Sequence, residues 1–184
     1  RTPIQLPNVP GFLTLKCDFH IHTVFSDGLV WPTVRVEEAW QQGLDAIAIT
    51  DHIEHQRFRA DVSTNRNRSF EIASARGADL DILVIRGGEV TRSMPPGHLN
   101  ALFLTNVNAL AVPSWTNALQ VARAQGAFIL WNHPGWSPQL TDNKIRWYPE
   151  HTELVAAGLV HGIEIVNGRD YYPQAHRWAM DKHL

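Results

Sequence analysis

The chain has 184 residues, 44% of them hydrophobic and 18% charged, with 16 Lys and Arg against 18 Asp and Glu and a net charge of −2. A domain of this size buries ~70% of its unfolded surface, so disorder is excluded, and a single cysteine, Cys17, excludes a disulfide framework. No apolar run reaches the ~18–20 residues of a membrane span, and the even charge balance offers no basic face for nucleic acid.

Residues 1–14 are Pro-rich and read as an extended lead-in. The first strand-like run, 14–21, ends in Asp18-Phe19-His20-Ile21-His22. Side chains alternate along a strand, so Asp18, His20 and His22 share one face, while Cys17, Phe19 and Ile21 share the other, toward a helix layer. Two imidazoles at this spacing converge on one metal ion. Asp18 stands beside them as a supporting carboxylate. Ser26-Asp27-Gly28 favours a turn, and Asp27 can swing a hard oxygen ligand over the same face. A helix opens at Pro32 and closes at Gly43. The second strand, 44–50, ends in Thr50-Asp51-His52. His52 is a ligand candidate, and Asp51 can orient a metal-bound histidine from behind. Glu54 and His55 read as exposed loop residues.

A second helix covers 67–76 and closes at Gly77. The third strand, 80–87, leads into Gly87-Gly88-Glu89, where glycine permits close backbone approach and unusual dihedrals and Glu89 can bridge two cations. Arg92 is either a clamp for a substrate phosphate or carboxylate or a surface arginine. Met94-Pro95-Pro96-Gly97 delivers His98 to the fourth strand, 99–104. A third helix runs from Ser114 to Gly126. The fifth strand, 127–131, ends in Asn132-His133-Pro134, with Pro134 biasing His133 toward extended backbone. A fourth helix covers 149–158. The sixth strand, 160–166, carries Glu164, either a base behind the metal or a strand-face charge with a partner. A last helix starts near Pro173. His151, His161, His176 and His183 fall on helices or at the far end of a strand and read as structural or exposed.

Strands alternating with helices imply βαβ units and a parallel sheet, either open and doubly wound or closed as a barrel. A full eight-fold barrel needs ~250 residues, more than this chain supplies. In such folds the active site lies at the C-terminal ends of the strands, which is where His20, His22, Asp27, His52, Glu89 and His133 accumulate; His98, at a strand start, joins them as a ligand candidate. Nitrogen and oxygen donors without a thiolate suit Zn, Mn or Fe. Nucleophile-elbow, Walker and dinucleotide motifs are absent from the sequence. A start at Arg1 rather than Met gives the expectation of a processed, exported or periplasmic protein.

From about Leu15 onward the chain resembles the PHP (polymerase and histidinol phosphatase) metal-dependent phosphoesterase superfamily. The motifs that carry the resemblance are Asp18-Phe19-His20-Ile21-His22-Thr23 with Ser26-Asp27-Gly28, Thr50-Asp51-His52, Gly88-Glu89 with Gly97-His98, and Asn132-His133-Pro134. The resemblance implies a single domain with a distorted (β/α)7 TIM-like barrel, here truncated at its C-terminus. It also implies two to three divalent ions, Zn, Mn or Fe, acting on a small phosphorylated substrate. His20, His22 and Glu89 would hold the first ion, Glu89, His98 and His133 the second, and Asp27 and His52 the third. Glu89 as the bridge and His52, or a residue beyond Leu184, as proton donor would be catalytic. The family's last motif, an Asp-x-His, has no match before Leu184. Two alternatives stand beside this reading: an amidohydrolase-type metal hydrolase, disfavoured because Lys144 ends no strand, and a non-catalytic PHP accessory module.

Overall fold

The computed structural model describes residues 1–184. Its main sheet has six strands in sequential order: β1 (Cys17–Ile21), β2 (Ala46–Ile49), β3 (Leu83–Val90), β4 (Leu99–Leu102), β5 (Phe128–Trp131) and β6 (Gly162–Ile163). Five helices pack on it: α1 (Pro32–Gln42), α2 (Arg68–Leu80), α3 (Trp115–Ala124), α4 (Pro149–Ala156) and α5 (Pro173–Lys182). A sequential order has no switch point, which excludes the doubly wound alternative. One buried cluster joins Phe19, Ala48, Ile85, Leu102 and Leu130, from five successive strands. In a flat sheet, with ~4.8 Å between strands, β1 and β5 would lie too far apart to share it. The sheet is therefore curled into a half-barrel around these side chains.

Local signals explain most helix ends. Pro32 occupies the first turn of α1, and Gly43 closes it at φ 86°, where glycine is free of strain. Ser114 caps α3 by accepting from the Asn117 N–H. Gly77, read as a stop, lies inside α2, which continues to Leu80 and closes at Asp81. A Cβ at Gly77 would lie 2.6 Å from Val84 Cγ2 and from the Ile82 carbonyl oxygen, so glycine there serves helix–sheet packing.

The sheet is not all parallel. β4 runs antiparallel to both β3 and β5, while the β1–β2, β2–β3 and β5–β6 pairs are parallel. Only residues 91–98 connect β3 to β4, too few for the crossover of a dozen or more residues that parallel pairing requires. Reversal puts the start of β4, and with it His98, at the same rim as the ends of its neighbours. β3 also runs on through Glu89 to Val90. Gly87 and Gly88 are there for space: a Cβ would meet the Ala101 carbonyl oxygen at 3.0 Å from the first and Val107 Cγ1 at 2.9 Å from the second, and neither has positive φ. The expected strand 160–166 splits. Gly162–Ile163 joins the sheet, while β7 (Val166–Asn167) turns back at Gly168 to pair with β8 (Asp170–Tyr171).

β1 contains a bulge. Asp18 pairs with Ile47 and Ile21 with Ile49, so two residues, Phe19 and His20, face the single Ala48. The expected alternation fails at that point. Phe19 packs inside the curl with Ala48 and Ile85, whereas Ile21 packs outside with Val36 and Ile49 under α1 and α2. Cys17, half-buried, faces the same inner cavity as Phe19 rather than the helix layer. The backbone N–H groups freed by the bulge are satisfied by side chains: Asp18 Oδ1 accepts from His20 at 3.0 Å and Thr50 Oγ1 from Ile21 at 3.0 Å.

Candidate metal centre

Seven candidate ligands meet at the rim formed by the ends of β1, β2, β3 and β5 and the start of β4. Glu89 is their hub and is fully buried. Its Oε2 lies 3.5 Å from His20 Nε2, 3.0 Å from His22 Nε2 and 3.2 Å from His52 Nδ1. Its Oε1 lies 2.8 Å from His98 Nδ1 and 3.5 Å from His133 Nε2. The imidazoles form a closed ring around it in the order His20, His22, His52, His98, His133, with neighbouring centroids 4.4 to 5.6 Å apart. Asp27 reaches over the rim, with Oδ1 3.0 Å from His22 Nδ1 and Oδ2 3.5 Å from His52 Nε2. The cavity they line holds about 270 Å³, below the ~300–1,000 Å³ of drug-sized pockets. Trp136 and Asn167 complete its wall.

The electrostatics follow from burying one carboxylate among imidazoles. Burial alone would raise the Glu89 pKa, but hydrogen bonding with His133, His20, His22 and His98 holds it well below the ordinary value. Burial opposes a charge on His20, yet hydrogen bonds to Glu164 and Glu89 push it up to about 10. His22, likewise opposed by burial, is pushed up to about 9 by Asp27 and Glu89. Asp27 is held far below the carboxylate range by His22 and His52. Burial wins at His98, whose pKa is lowered despite Glu89.

These donors fit a metal cluster. Glu89 Oε2, His98 Nδ1 and His133 Nδ1 are buried without an aligned hydrogen-bond partner, although Glu89 and His98 approach to 2.8 Å. Buried polar atoms of this kind are rare unless they serve a ligand. Three donor sets lie close enough to share an ion: His20, His22 and Glu89; His22, Asp27 and His52; His52, Glu89 and His98. The first is the set the resemblance implies, and the second adds His22 to Asp27 and His52. The third contains His52 where the reading had His133.

The supporting residues differ more from expectation. Glu164, just after β6, accepts from His20 Nδ1 at 3.1 Å, Asn167 Nδ2 at 3.1 Å and the His133 N–H at 2.7 Å, so it is the orienting carboxylate. That last bond holds His133 at φ 28° rather than in the extended conformation expected before Pro134, a strained position of the kind found at functional sites. Asp51 touches no histidine. It accepts from the Thr23 N–H at 2.7 Å, the Thr23 hydroxyl at 2.8 Å and the Ser26 hydroxyl at 2.7 Å, stapling the loop that carries Asp27. Asp18 supports the bulge and no imidazole ring. Arg92 does not line the cavity, because its guanidinium is held by Glu54 and by the Thr91 carbonyl. Glu54 and His55 are exposed, as read.

Sequence reasoning missed Thr91, whose Oγ1 lies 2.6 Å from His52 Nδ1, and the role of Asn132, whose Nδ2 donates to Glu89 Oε1 at 3.0 Å. Thr91 follows Glu89 by two, so strand periodicity carried the signal. The four remaining histidines are structural or exposed, as read. His151 stacks on Trp131 at 3.7 Å and bonds the Pro96 carbonyl, and His161 Nδ1 accepts from the Ile129 N–H at 3.0 Å.

No protein-family model matches the chain. Among solved structures, a two-domain protein containing a predicted PHP-like metal-dependent phosphoesterase from Bacteroides vulgatus is 51% identical, with a TM-score of 0.97 over 100% of this chain and 53% of that one. The chain thus spans about half the length of that protein. A Bifidobacterium adolescentis protein provisionally called a metal-dependent phosphoesterase is 16% identical over 94% of this chain and 85% of its own, with a TM-score of 0.69. An amidohydrolase from Chromobacterium violaceum is 15% identical over 91% and 84%, with a TM-score of 0.64. These two share the fold alone. The resemblance carried by the four sequence motifs extends over the whole chain.

Proposed function

Starting from a chain alike over its full length to a PHP-like metal-dependent phosphoesterase, we propose that it hydrolyses a phosphate mono- or diester at a site of two or three divalent ions. The observation that supports this is Glu89, fully buried, with separate imidazole groups at its two oxygens, three at Oε2 and two at Oε1. His20, His22 and Glu89 would hold one ion, Glu89 with His98 and His133 a second, and Asp27 with His52 a third. When bound, divalent ions here polarise phosphate oxygens and lower the pKa of a water to near neutrality. Glu164 fixes the His20 ring and the His133 backbone. Asn132 fixes Glu89 Oε1, and Trp136 shields the imidazoles of His98 and His133, 5.6 and 5.3 Å from its ring. The small cavity accepts the phosphoryl group and leaves the alcohol outside. Lys144 lies exposed and away from the centre, which weighs against an amidohydrolase arrangement. We also propose that the half-barrel is the greater part of a distorted (β/α)7 barrel. Its gap lies between β1 and β6, already bridged by the His20–Glu164 contact.

The test is metal content by plasma mass spectrometry on protein purified without chelator or histidine tag, alongside hydrolysis of nitrophenyl phosphate, bis-nitrophenyl phosphate and a nitroanilide. Two or more ions per chain with phosphoester turnover are expected. Glu89→Ala is expected to lose both ions and rate by more than the ~10–100-fold typical of outer partners. Wild-type rates in that variant, or no ion in folded and reloaded protein, would overturn the reading.

A further inference from the structure

We propose that Thr91 fixes the tautomer of His52, so that His52 presents Nε2 as a ligand to the Asp27 position, and that Glu54 and Arg92 hold Thr91 in place. The bare Nε2 rests on the metal-centre reading above; the Thr91 contact to Nδ1 does not.

Thr91 stands one residue beyond β3. Its Oγ1 is 2.6 Å from His52 Nδ1 and 3.3 Å from the Glu89 carbonyl oxygen. A hydroxyl has one proton and two lone pairs, and a carbonyl can only accept. With the Thr91 proton on that carbonyl, which also accepts from the Ile53 N–H at 2.8 Å, Oγ1 is free to accept from Nδ1. A second acceptor faces the same nitrogen, since Glu89 Oε2 lies 3.2 Å from it. A bare Nδ1 lone pair would point at two oxygens, whereas an N–H between them is favourable. Nε2 is the atom beside Asp27 Oδ2 at 3.5 Å; an ion bound there would take its lone pair, and the one N–H of the neutral ring is then the one on Nδ1. Such a hydrogen bond on the far nitrogen is what sets which nitrogen binds a metal.

This decides between the two donor sets that contain His52. The set with Glu89 and His98 would draw on Nδ1, which is already committed. His52 therefore belongs with Asp27. With Nε2 on an ion and Nδ1–H on Thr91, it has no proton for a leaving group, so it is a ligand and not the acid considered in the sequence.

Thr91 is itself held. Its N–H donates to Glu54 Oε2 at 2.7 Å, and the other Glu54 oxygen pairs with the Arg92 guanidinium. Arg92 also reaches the Val112 and Pro113 carbonyls at 3.4 Å each. Glu54 leaves the loop that begins at His52 and returns to the residue bonded to its ring. Glu54, read as an exposed loop residue, and Arg92, read as either a clamp or a surface arginine, form a brace.

The experiment is long-range proton–nitrogen correlation of the histidine rings in the metal-free and the Zn-loaded protein, joined to Zn titration of the same samples. Wild-type His52 is expected to show a protonated Nδ1 in both and a bare Nε2 once Zn is bound. Thr91→Val keeps the shape and removes the hydroxyl. It is expected to shift His52 toward the Nε2–H form and to weaken one Zn site ~10–100-fold, the scale of an outer partner, with the other ions unchanged. Thr91→Ser is expected to restore both readouts. Glu54→Ala is expected to move them part of the way and stands in if Thr91→Val does not fold. Wild-type His52 without a proton on Nδ1, or a folded Thr91→Val with unchanged ring nitrogens and unchanged Zn affinity, would overturn the proposal. Wild-type protein that binds no Zn while His52 carries its proton on Nδ1 would support the Thr91 contact and overturn the metal-centre reading instead.

Discussion

In the metal-free protein Glu89 stays ionised because the imidazoles around it take up protons. The raised values of His20, about 10, and His22, about 9, against an ordinary 6.5, express that coupling. A group with a folded pKa above its unfolded one stabilises the fold fully below the unfolded value and loses that contribution as pH rises through the folded value. Chelated protein is therefore expected to lose stability between about pH 6.5 and 10, checked by urea midpoints across that range. A midpoint that rises with pH would contradict the coupling. The loaded protein should behave in the opposite sense, because ions and protons compete for the same nitrogens. Metal affinity is expected to tighten as pH rises over the same interval, measured by competition against a chelator of known pH response.

The elements that position these residues were legible where the signal is local. Pro32 and Gly43 bracket α1, Ser114 caps α3, and the clustering of His20, His52, Glu89 and His133 at strand ends locates the site. Information hidden in pairing was not legible. Alternation assumes one residue opposite one residue, so the β1 bulge, which sends Phe19 inward and Ile21 outward, left no mark on the pattern. Asp51 lay next to a histidine in sequence and was read as its partner, whereas its hydrogen bonds go to a loop 25 and 28 positions earlier. That loop gives a prediction. Asp51→Ala leaves the Thr23 N–H and two hydroxyls without their acceptor, at a cost of ~1–3 kcal/mol per buried unsatisfied group. Metal loss is expected to be selective for the ion nearest Asp27, with the ions on Glu89 retained. Uniform loss of all ions in a folded variant would count against it.

At the scale of the whole molecule, the metal centre and the fold are one structure. Strands β1 through β5 each place a ligand at one rim, so ions there would add a link across the rim to strands that already pair edge to edge in the sheet. A ligand that binds only the folded state at 100-fold above its dissociation constant adds ~2.7 kcal/mol, or roughly 5–10 °C at the ~2–4 °C per kcal/mol of a chain this size. Removing metal with a chelator is expected to lower the melting temperature by about that amount per tight site, and restoring Zn or Mn to reverse it. The β1 bulge has a consequence for association as well as for aim. Within residues 1–184 β1 pairs only with β2, and a free strand edge is a template on which another chain can polymerise. The His20 N–H is turned onto Asp18, and a charged side chain stands at the break in register. The edge therefore lacks the regular ladder of donors and acceptors that an incoming strand must match, so the kink that directs an imidazole to the rim also makes this stretch of β1 a poor template for a second copy.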